Sequence, residues 1–289
     1  MSPAHEFHYR MPSQVHGYRP GSHHGSSIGG GQAFATHARL FDHPDPRRLD
    51  LRASLRHPGR EWLVRLHRQR SAVTVHALVD VSASMTFGSA RTKLDIAGEF
   101  VDSLGRSAFR VGDPVGLLAF DTALRDELTM PPRRHRGAGA AMRALLHEGR
   151  KLAAQRGGSG AAGLQRAAER LSGREGIVFV VSDFHWPLDT LRGSFELMAP
   201  ALVVPLVVWD PLELEAPSRN ALMMVRDAES HERRALWMRP ALRMQWRDAV
   251  RHRRAQIDGL CRAHGVRPLY LSGTFDPEAL SRYFLEMAG

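Results

Sequence analysis

The chain has 289 residues, 43% of them hydrophobic and 24% charged, the balance of a globular protein long enough to bury a core without staples. Cys261 is its one cysteine, which excludes a disulfide framework and a cysteine-based zinc site. Forty Lys and Arg against 30 Asp and Glu leave a net charge of +10, which favours anionic partners.

Residues 1–36 are rich in Gly, Ser, His and Arg with little periodicity, and an extended arm or set of loops is predicted there. Met1 to Arg10 lacks the apolar stretch of a signal peptide. The arm is histidine-rich, with His23 and His24 adjacent, but no pair has the helical spacing and supporting carboxylate that would assign it a metal. Phe41 to Arg70 reads as a Pro/Arg-rich turn region ending in an alternating strand around Trp62, Val64 and Leu66.

From Ser71 onward strands and helices alternate. "AVTVHALVDVS" is a β-branched apolar run of the kind buried on both faces of a parallel sheet. Leu94, Ala97, Val101, Leu104 and Ala108 then mark the buried stripe of a helix. "DPVGLLAFD" is a second strand and "LRDELTM" a hairpin partner for it. Helices are predicted from Ala138 to Gln155 and, after a Gly-rich break, on to Leu171. The strand "GIVFVVSDF", a helix from Pro187 and the strand "LVVPLVVWD" follow. A long helix from Pro240 to His264, the strand "RPLYLS" and a helix from Asp276 close the chain. The expectation is an α/β fold, a doubly wound, mostly parallel sheet with helices on both faces. Residues 71–289 would form it, with a small β-hairpin insertion at about 211–239, and residues 1–70 would be an arm packing on it. The longest apolar run, Ala199 to Trp209, is much shorter than the about 20 residues a membrane helix needs, so a cytoplasmic protein without direct membrane insertion is expected.

Ligands of such sheets bind beyond the carboxyl ends of the strands. Three polar groups fall there: the D-x-S-x-S of Asp80, Ser82 and Ser84, the Gly-rich break with Ser159, and Asp183 at the end of "IVFVVSD". Together they offer an all-oxygen set suited to Mg²⁺, with Mn²⁺ or Ca²⁺ as alternatives.

A D-x-S-x-S after a buried strand, a hydroxyl in a Gly-rich loop and an Asp ending a later strand resemble the metal-ion-dependent adhesion site of von Willebrand factor A domains. "HPDPRRLDLRASLR", "VSASMTFGSARTKLDIA", "GDPVGLLAFD", "VVSDF" and "DPLELEAP" are similar, in that order, to the MoxR-associated branch of that family, and most of all to its short forms encoded with methanol dehydrogenase maturation genes. Two positions depart from the pattern: Gly160 follows Ser159 where an Asp is usual, and Leu51 stands in place of a Trp. The resemblance implies a Rossmann-type von Willebrand A-like fold and a role without catalysis. The chain would be a chaperone-like adaptor that works with a MoxR-type AAA+ ATPase in maturing or metallating an enzyme, methanol dehydrogenase being the specific expectation. Neutral hydroxyls around the ion leave it ready for a carboxylate offered by a client protein.

Two further features point to partner binding. Trp186 lies in the loop after Asp183, where an exposed ring would anchor a partner. Arg243, Arg247, Arg251 and Arg254 make one basic stripe opposite Leu242, Trp246, Ile257 and Leu260. The charge also raises a nucleic-acid-binding alternative, against which no nucleic-acid motif or aromatic platform is found, so no nucleic acid is expected. A Mg²⁺-dependent hydrolase is the lesser alternative, with His185 as base and Ser84 as nucleophile.

Overall fold

The computed structural model describes residues 6–11, 20–29, 33–153, 160–217, 220, 222–226 and 232–287. It divides into two compact units, one of residues 10–73 and one of residues 1–9 with 74–289.

The smaller unit is not the set of loops that its composition suggests. Strands β1 (Pro20–Gly29), β2 (Ala33–Arg39) and β3 (Leu63–Ser71) form an antiparallel sheet in the order β1-β3-β2. The short helix α1 (Leu51–Arg56) is tied to it through one side chain. Asp50 caps α1 by accepting the Ala53 N–H at 3.1 Å, and also accepts from Arg65 Nε at 2.7 Å and contacts His37 Nε2 at 3.1 Å. These donors hold the Asp50 carboxyl well below the usual carboxylate range, the Arg65 hydrogen bond contributing most.

The larger unit is built on a six-stranded sheet. Its strands are β4 (Val75–Asp80), β5 (Val115–Phe120), β6 (Leu124–Arg133), β7 (Gly176–Ser182), β8 (Ala201–Trp209) and β11 (Leu269–Ser272). They lie in the order β11-β8-β7-β4-β5-β6, all parallel except β6. Every residue of β4, β5 and β7 is buried, as continuous apolar runs require when helices cover both faces. The helices are α2 (Lys93–Val111), α3 (Ala138–Ala153), α4 (Ala161–Leu171), α5 (Asp189–Leu197), α6 (Pro211–Leu214), α7 (Pro240–Ala263) and α8 (Pro277–Met287). The insertion is a hairpin of β9 (Leu222–Arg226) and β10 (Arg233–Trp237).

Side chains alternate across the sheet, so each strand serves two cores. Leu78, Phe120, Val178 and Val180 pack with Leu164 and Leu171 of α4, Leu191 of α5 and Ile257 of α7. On the other face an aromatic cluster joins Phe179 to Phe100 of α2 and Phe284 of α8. Phe7 completes that cluster, fully buried against Phe100 and Phe179, and Tyr9 Oη donates to Asp113 Oδ2 at 2.7 Å. The start of the predicted arm is therefore part of the main core. Helices α2 and α3 touch backbone to backbone: a Cβ at Gly105 would lie 2.2 Å from Gly139 N, and one at Gly139 would lie 2.4 Å from Asp102 O.

One buried group gives the unit a pH signature. His76 of β4 is 5% exposed, and burial, with the charge of Arg174, lowers its pKa to about 4. The native state keeps it neutral while the unfolded chain takes up a proton near its ordinary value. Its contribution is thus whole above about pH 6.5 and is lost as the pH falls through about 4, a change of roughly 3 kcal/mol. Asp80 works in the opposite direction, because its pKa is raised to about 6 and acid relieves its buried charge. The clean observable is therefore a difference. In urea melts at a series of pH values, His76→Leu should gain roughly 3 kcal/mol relative to wild type between neutral pH and about pH 4. A constant gap would mean that His76 takes up its proton as readily in the native state as in the unfolded chain.

Candidate metal centre

Strand β4 has β5 on one side and β7 on the other, so the chain reverses its direction of progress across the sheet between β4 and β7. Loops leaving the carboxyl ends of these two strands diverge and open a crevice. Asp80 is the last residue of β4 and Asp183 directly follows β7; both are fully buried.

The loop after Asp80 turns at once into a short 3-10 helix over Ala83–Thr86. Asp80 Oδ1 accepts the Ser82 N–H at 2.9 Å, which sets that turn. Oδ2 accepts from Ser182 Oγ at 2.7 Å and from the Trp186 indole at 3.2 Å. No cation is paired with Asp80 among the described residues. Burial, and then the negative charge of Asp183, push its pKa up to about 6, against the pull of its Ser82 and Ser182 donors.

The two carboxylates are joined by hydroxyls. Ser82 Oγ lies 3.2 Å from Ser84 Oγ, and the two hydroxyls are near enough to Asp80 and Asp183, respectively, to favour the ionised form of each. This set of oxygens has the hard, anionic chemistry that Mg²⁺ takes, so the residues present fit a divalent cation. Ser159, the remaining predicted ligand, lies outside the described residues. Gly160 is described and buried, and a Cβ there would fall 2.8 Å from Asp80 Oδ2 and 3.1 Å from Trp186 Nε1. A side chain at 160, such as the Asp that the resemblance leads one to expect, would have to displace Asp80 or Trp186.

Asp183 has a partner that the sequence reading passed over. Lys93, the first residue of α2, is 1% exposed, and its Nζ donates to Asp183 Oδ2 at 2.6 Å and to Glu213 Oε1 of α6 at 2.7 Å. Burial alone would lower the Lys93 pKa, but the two carboxylates outweigh it and raise it. Burial would likewise raise Asp183; Lys93, His185 and Ser84 overcome this and hold it at about 2. Ligand atoms of Asp183, His185 and Glu213 lie within 4.8 Å of one another, a possible metal-binding trio, yet the ammonium already bridges its two carboxylates. His185 Nε2 is 3.6 Å from Glu213 Oε1, and no hydrogen bond joins His185 to Ser84 among the described residues.

The predicted partner-binding residues need correction. Trp186 is 2% exposed, because the loop folds it inward to donate to Asp80, and it cannot be a rim anchor. Phe184, in the left-handed region at φ 52°, makes that turn. Arg253 fixes the result, donating through Nε to the Phe184 carbonyl at 3.0 Å and through Nη2 to the Trp186 carbonyl. The arginine stripe of α7 does not stand opposite the apolar face. Trp246, Val250 and Arg253 face inward, and Arg247, Arg251 and Arg254 each follow one of them, about a quarter turn round the helix. Arg247 and Arg251 are exposed, Arg254 lies over the Tyr270 ring at 4.3 Å, and Arg243 is half-buried and donates to Asn220 at 3.0 Å.

A family model described as "Protein of unknown function DUF58" matches residues 40–256. No curated protein matches the chain. Among solved structures, the conserved hypothetical protein BatB from Bacteroides thetaiotaomicron is 16% identical with TM-score 0.46, over 75% of this chain and 99% of that one. An aerotolerance-related membrane protein from Bacteroides fragilis is 15% identical with TM-score 0.46, over 75% and 98%. A von Willebrand factor type A protein from Catenulispora acidiphila is 12% identical with TM-score 0.36, over 77% and 43%. Likenesses this distant carry no argument about activity, and the fold rests on the strand order and register above.

Proposed function

Because the chain belongs to the DUF58 family, a family of unknown function, we propose its role from the chemistry of its own crevice: a non-catalytic, divalent-cation-dependent protein-binding adaptor. The observation that carries the proposal is Asp80, a fully buried carboxylate with neutral donors only among the described residues, at one end of a run of hydroxyls. A buried charge of this kind calls for a counter-charge. Asp80, Ser82 and Ser84 would hold the ion, with Asp183 beside it and Ser159 as the further hydroxyl; Mg²⁺ is the first choice, Mn²⁺ and Ca²⁺ the alternatives. When bound, the ion supplies a Lewis-acidic position that a carboxylate of another protein can fill.

Lys93 decides how strongly that position attracts anions. The ammonium cancels one of the two charges on Asp183 and Glu213 and occupies both carboxylates, which leaves Asp80 as the crevice carboxylate with no cation on it among the described residues. An ion held by Asp80 and neutral hydroxyls would then keep a position open to a partner's carboxylate. The hydrolase alternative gains nothing from His185, which is stacked on Trp209 and turned toward Glu213.

The finer assignment follows the sequence resemblance. We place the chain with the MxaS-type members of the MoxR-associated branch, with a MoxR-type AAA+ ATPase as its partner and methanol dehydrogenase as the enzyme matured. A cytoplasmic setting is part of this proposal; among the described residues no helix is long and apolar enough to cross a membrane. The test is a pull-down of the cognate ATPase, or of its client, with the full chain. Binding should be abolished by EDTA, restored by Mg²⁺ and absent in Asp80→Ala. Neutralising Arg247 and Arg251 should slow association and lower its salt sensitivity without removing the chelator effect. Binding that survives both EDTA and Asp80→Ala would overturn the proposal.

A further inference from the structure

A cleft of about 540 Å³ adjoins the metal centre. His185 and Glu213, whose side chains lie beside Asp183, line it, and Trp209, which ends β8, donates its indole N–H to the Asp183 carbonyl at 2.8 Å. The Trp209 ring is buried and stacks on His185, with centroids 5.9 Å apart and planes 4° from parallel. Trp246, Ala249 and Val250 of α7 form the facing wall.

Most polar groups around this cleft already have partners, His185 lying 3.6 Å from Glu213 with its ring face against Trp209. Glu213 accepts from Lys93, Arg253 donates to two loop carbonyls, and the Trp246 indole donates to the Glu213 carbonyl at 2.8 Å. What remains for a ligand is ring faces and aliphatic carbon, which recognise apolar and aromatic groups by area and stacking. The volume exceeds a single ring, so the cleft has room for a ring together with the piece of chain that carries it. Just outside the lining residues, α7 exposes Arg247 and Arg251, and the nearest acid on that face, Asp248, is 3.8 Å from Arg251 and exposed.

We infer that this cleft is the specificity pocket of the adaptor: it receives an aromatic side chain from an acidic segment of the partner protein, next to the carboxylate that completes the ion. The inference rests on the metal-dependent reading above, and adds to it what the partner must carry. The arginines attract the segment, the ion takes one carboxylate, and the indole-lined cleft selects the neighbouring ring.

A random peptide library displayed on phage, selected on the immobilised full chain in Mg²⁺ and separately in EDTA, tests it. Wild type in Mg²⁺ should enrich acidic peptides that carry Phe, Tyr or Trp. Ala249→Trp fills the cleft from an exposed position, so its melting temperature should stay near that of wild type. It should lose the aromatic preference and bind a selected peptide roughly tenfold or more weaker, the worth of one buried ring. Unchanged aromatic selection by Ala249→Trp would overturn the inference. So would Mg²⁺-dependent acidic peptides without aromatic preference, and that result would leave the metal reading standing. Aromatic selection that persists in EDTA and is lost in Ala249→Trp would support the pocket and sink the ion bridge.

Discussion

Replacing Lys93 with Met should cost about 3–5 kcal/mol of stability, the usual result of removing one member of a buried ion pair. The side chain is 1% exposed and is the only cation bonded to Asp183 among the described residues. Met fills the same volume, so little of the loss comes from packing; it comes from a carboxylate left buried with no counter-charge. The deficit has a specific remedy. Lys93→Met combined with Asp183→Asn and Glu213→Gln should recover much of the loss, since removing a whole buried charge cluster is far cheaper than breaking it. Mg²⁺ should also raise the melting temperature of Lys93→Met more than that of wild type, because an ion then has Asp183 as well as Asp80 to neutralise. Urea melts with and without Mg²⁺ measure both effects. A loss below about 1 kcal/mol would mean that Lys93 is dispensable to the site.

Gly160→Asp should be nearly as damaging, although it restores the residue that the resemblance leads one to expect. A Cβ at this position meets Asp80 Oδ2 at 2.8 Å, and that oxygen cannot retreat because Ser182 and Trp186 both hold it. Gly160→Ala should cost about 1–3 kcal/mol as an overpacked contact. The aspartate adds a second carboxylate against a buried one, so it should cost more and should abolish Mg²⁺ binding rather than strengthen it. Thermal unfolding and ion titration of the two variants separate the steric effect from the charge effect. If Gly160→Asp were as stable as wild type and bound Mg²⁺ more tightly, the packing of Gly160 on Asp80 would be wrong.

These two residues also show where the sequence was readable. The strands of the large sheet are legible because burial on both faces demands uninterrupted apolar runs, which "HALVD", "VGLLAF" and "IVFVVS" supply. Their order places Asp80 and Asp183 in one crevice, and that too could be anticipated from the alternation of strands and helices. Strands β1 and β2 could not be, because Ile28 is the only large apolar side chain in "PGSHHGSSIG" and Phe34 the only one in "AFATHAR", and both strands pair through the backbone with β3. Phe7 and Tyr9 are lone aromatics without a period, so nothing local marks them as core. Trp186 was misread because an aromatic in a polar loop looks exposed until the turn at Phe184 folds it under.

Lys93 did leave a signal. In a chain with 40 basic residues it is one of only two lysines, and it stands at a helix start beyond the carboxyl ends of the strands. A compact ammonium suits a tight pocket between two carboxylates where a guanidinium would not fit. The capping box of Thr92 with Asp95 then fixes where α2 begins, and so where the ammonium enters the site. Glu213 is placed in the same way, by Asp210 as the cap of α6, whose Oδ2 also accepts from the Ser89 N–H at 2.8 Å.

The central claim is that Asp80 and its hydroxyl neighbours hold a divalent cation, and calorimetric titration of Mg²⁺ into the metal-stripped full chain tests it most directly. One site per chain is predicted for wild type, with binding lost in Asp80→Ala and weakened in Ser84→Ala, both variants keeping the wild-type circular dichroism spectrum. Equal binding by wild type and Asp80→Ala, or none by wild type, would contradict it.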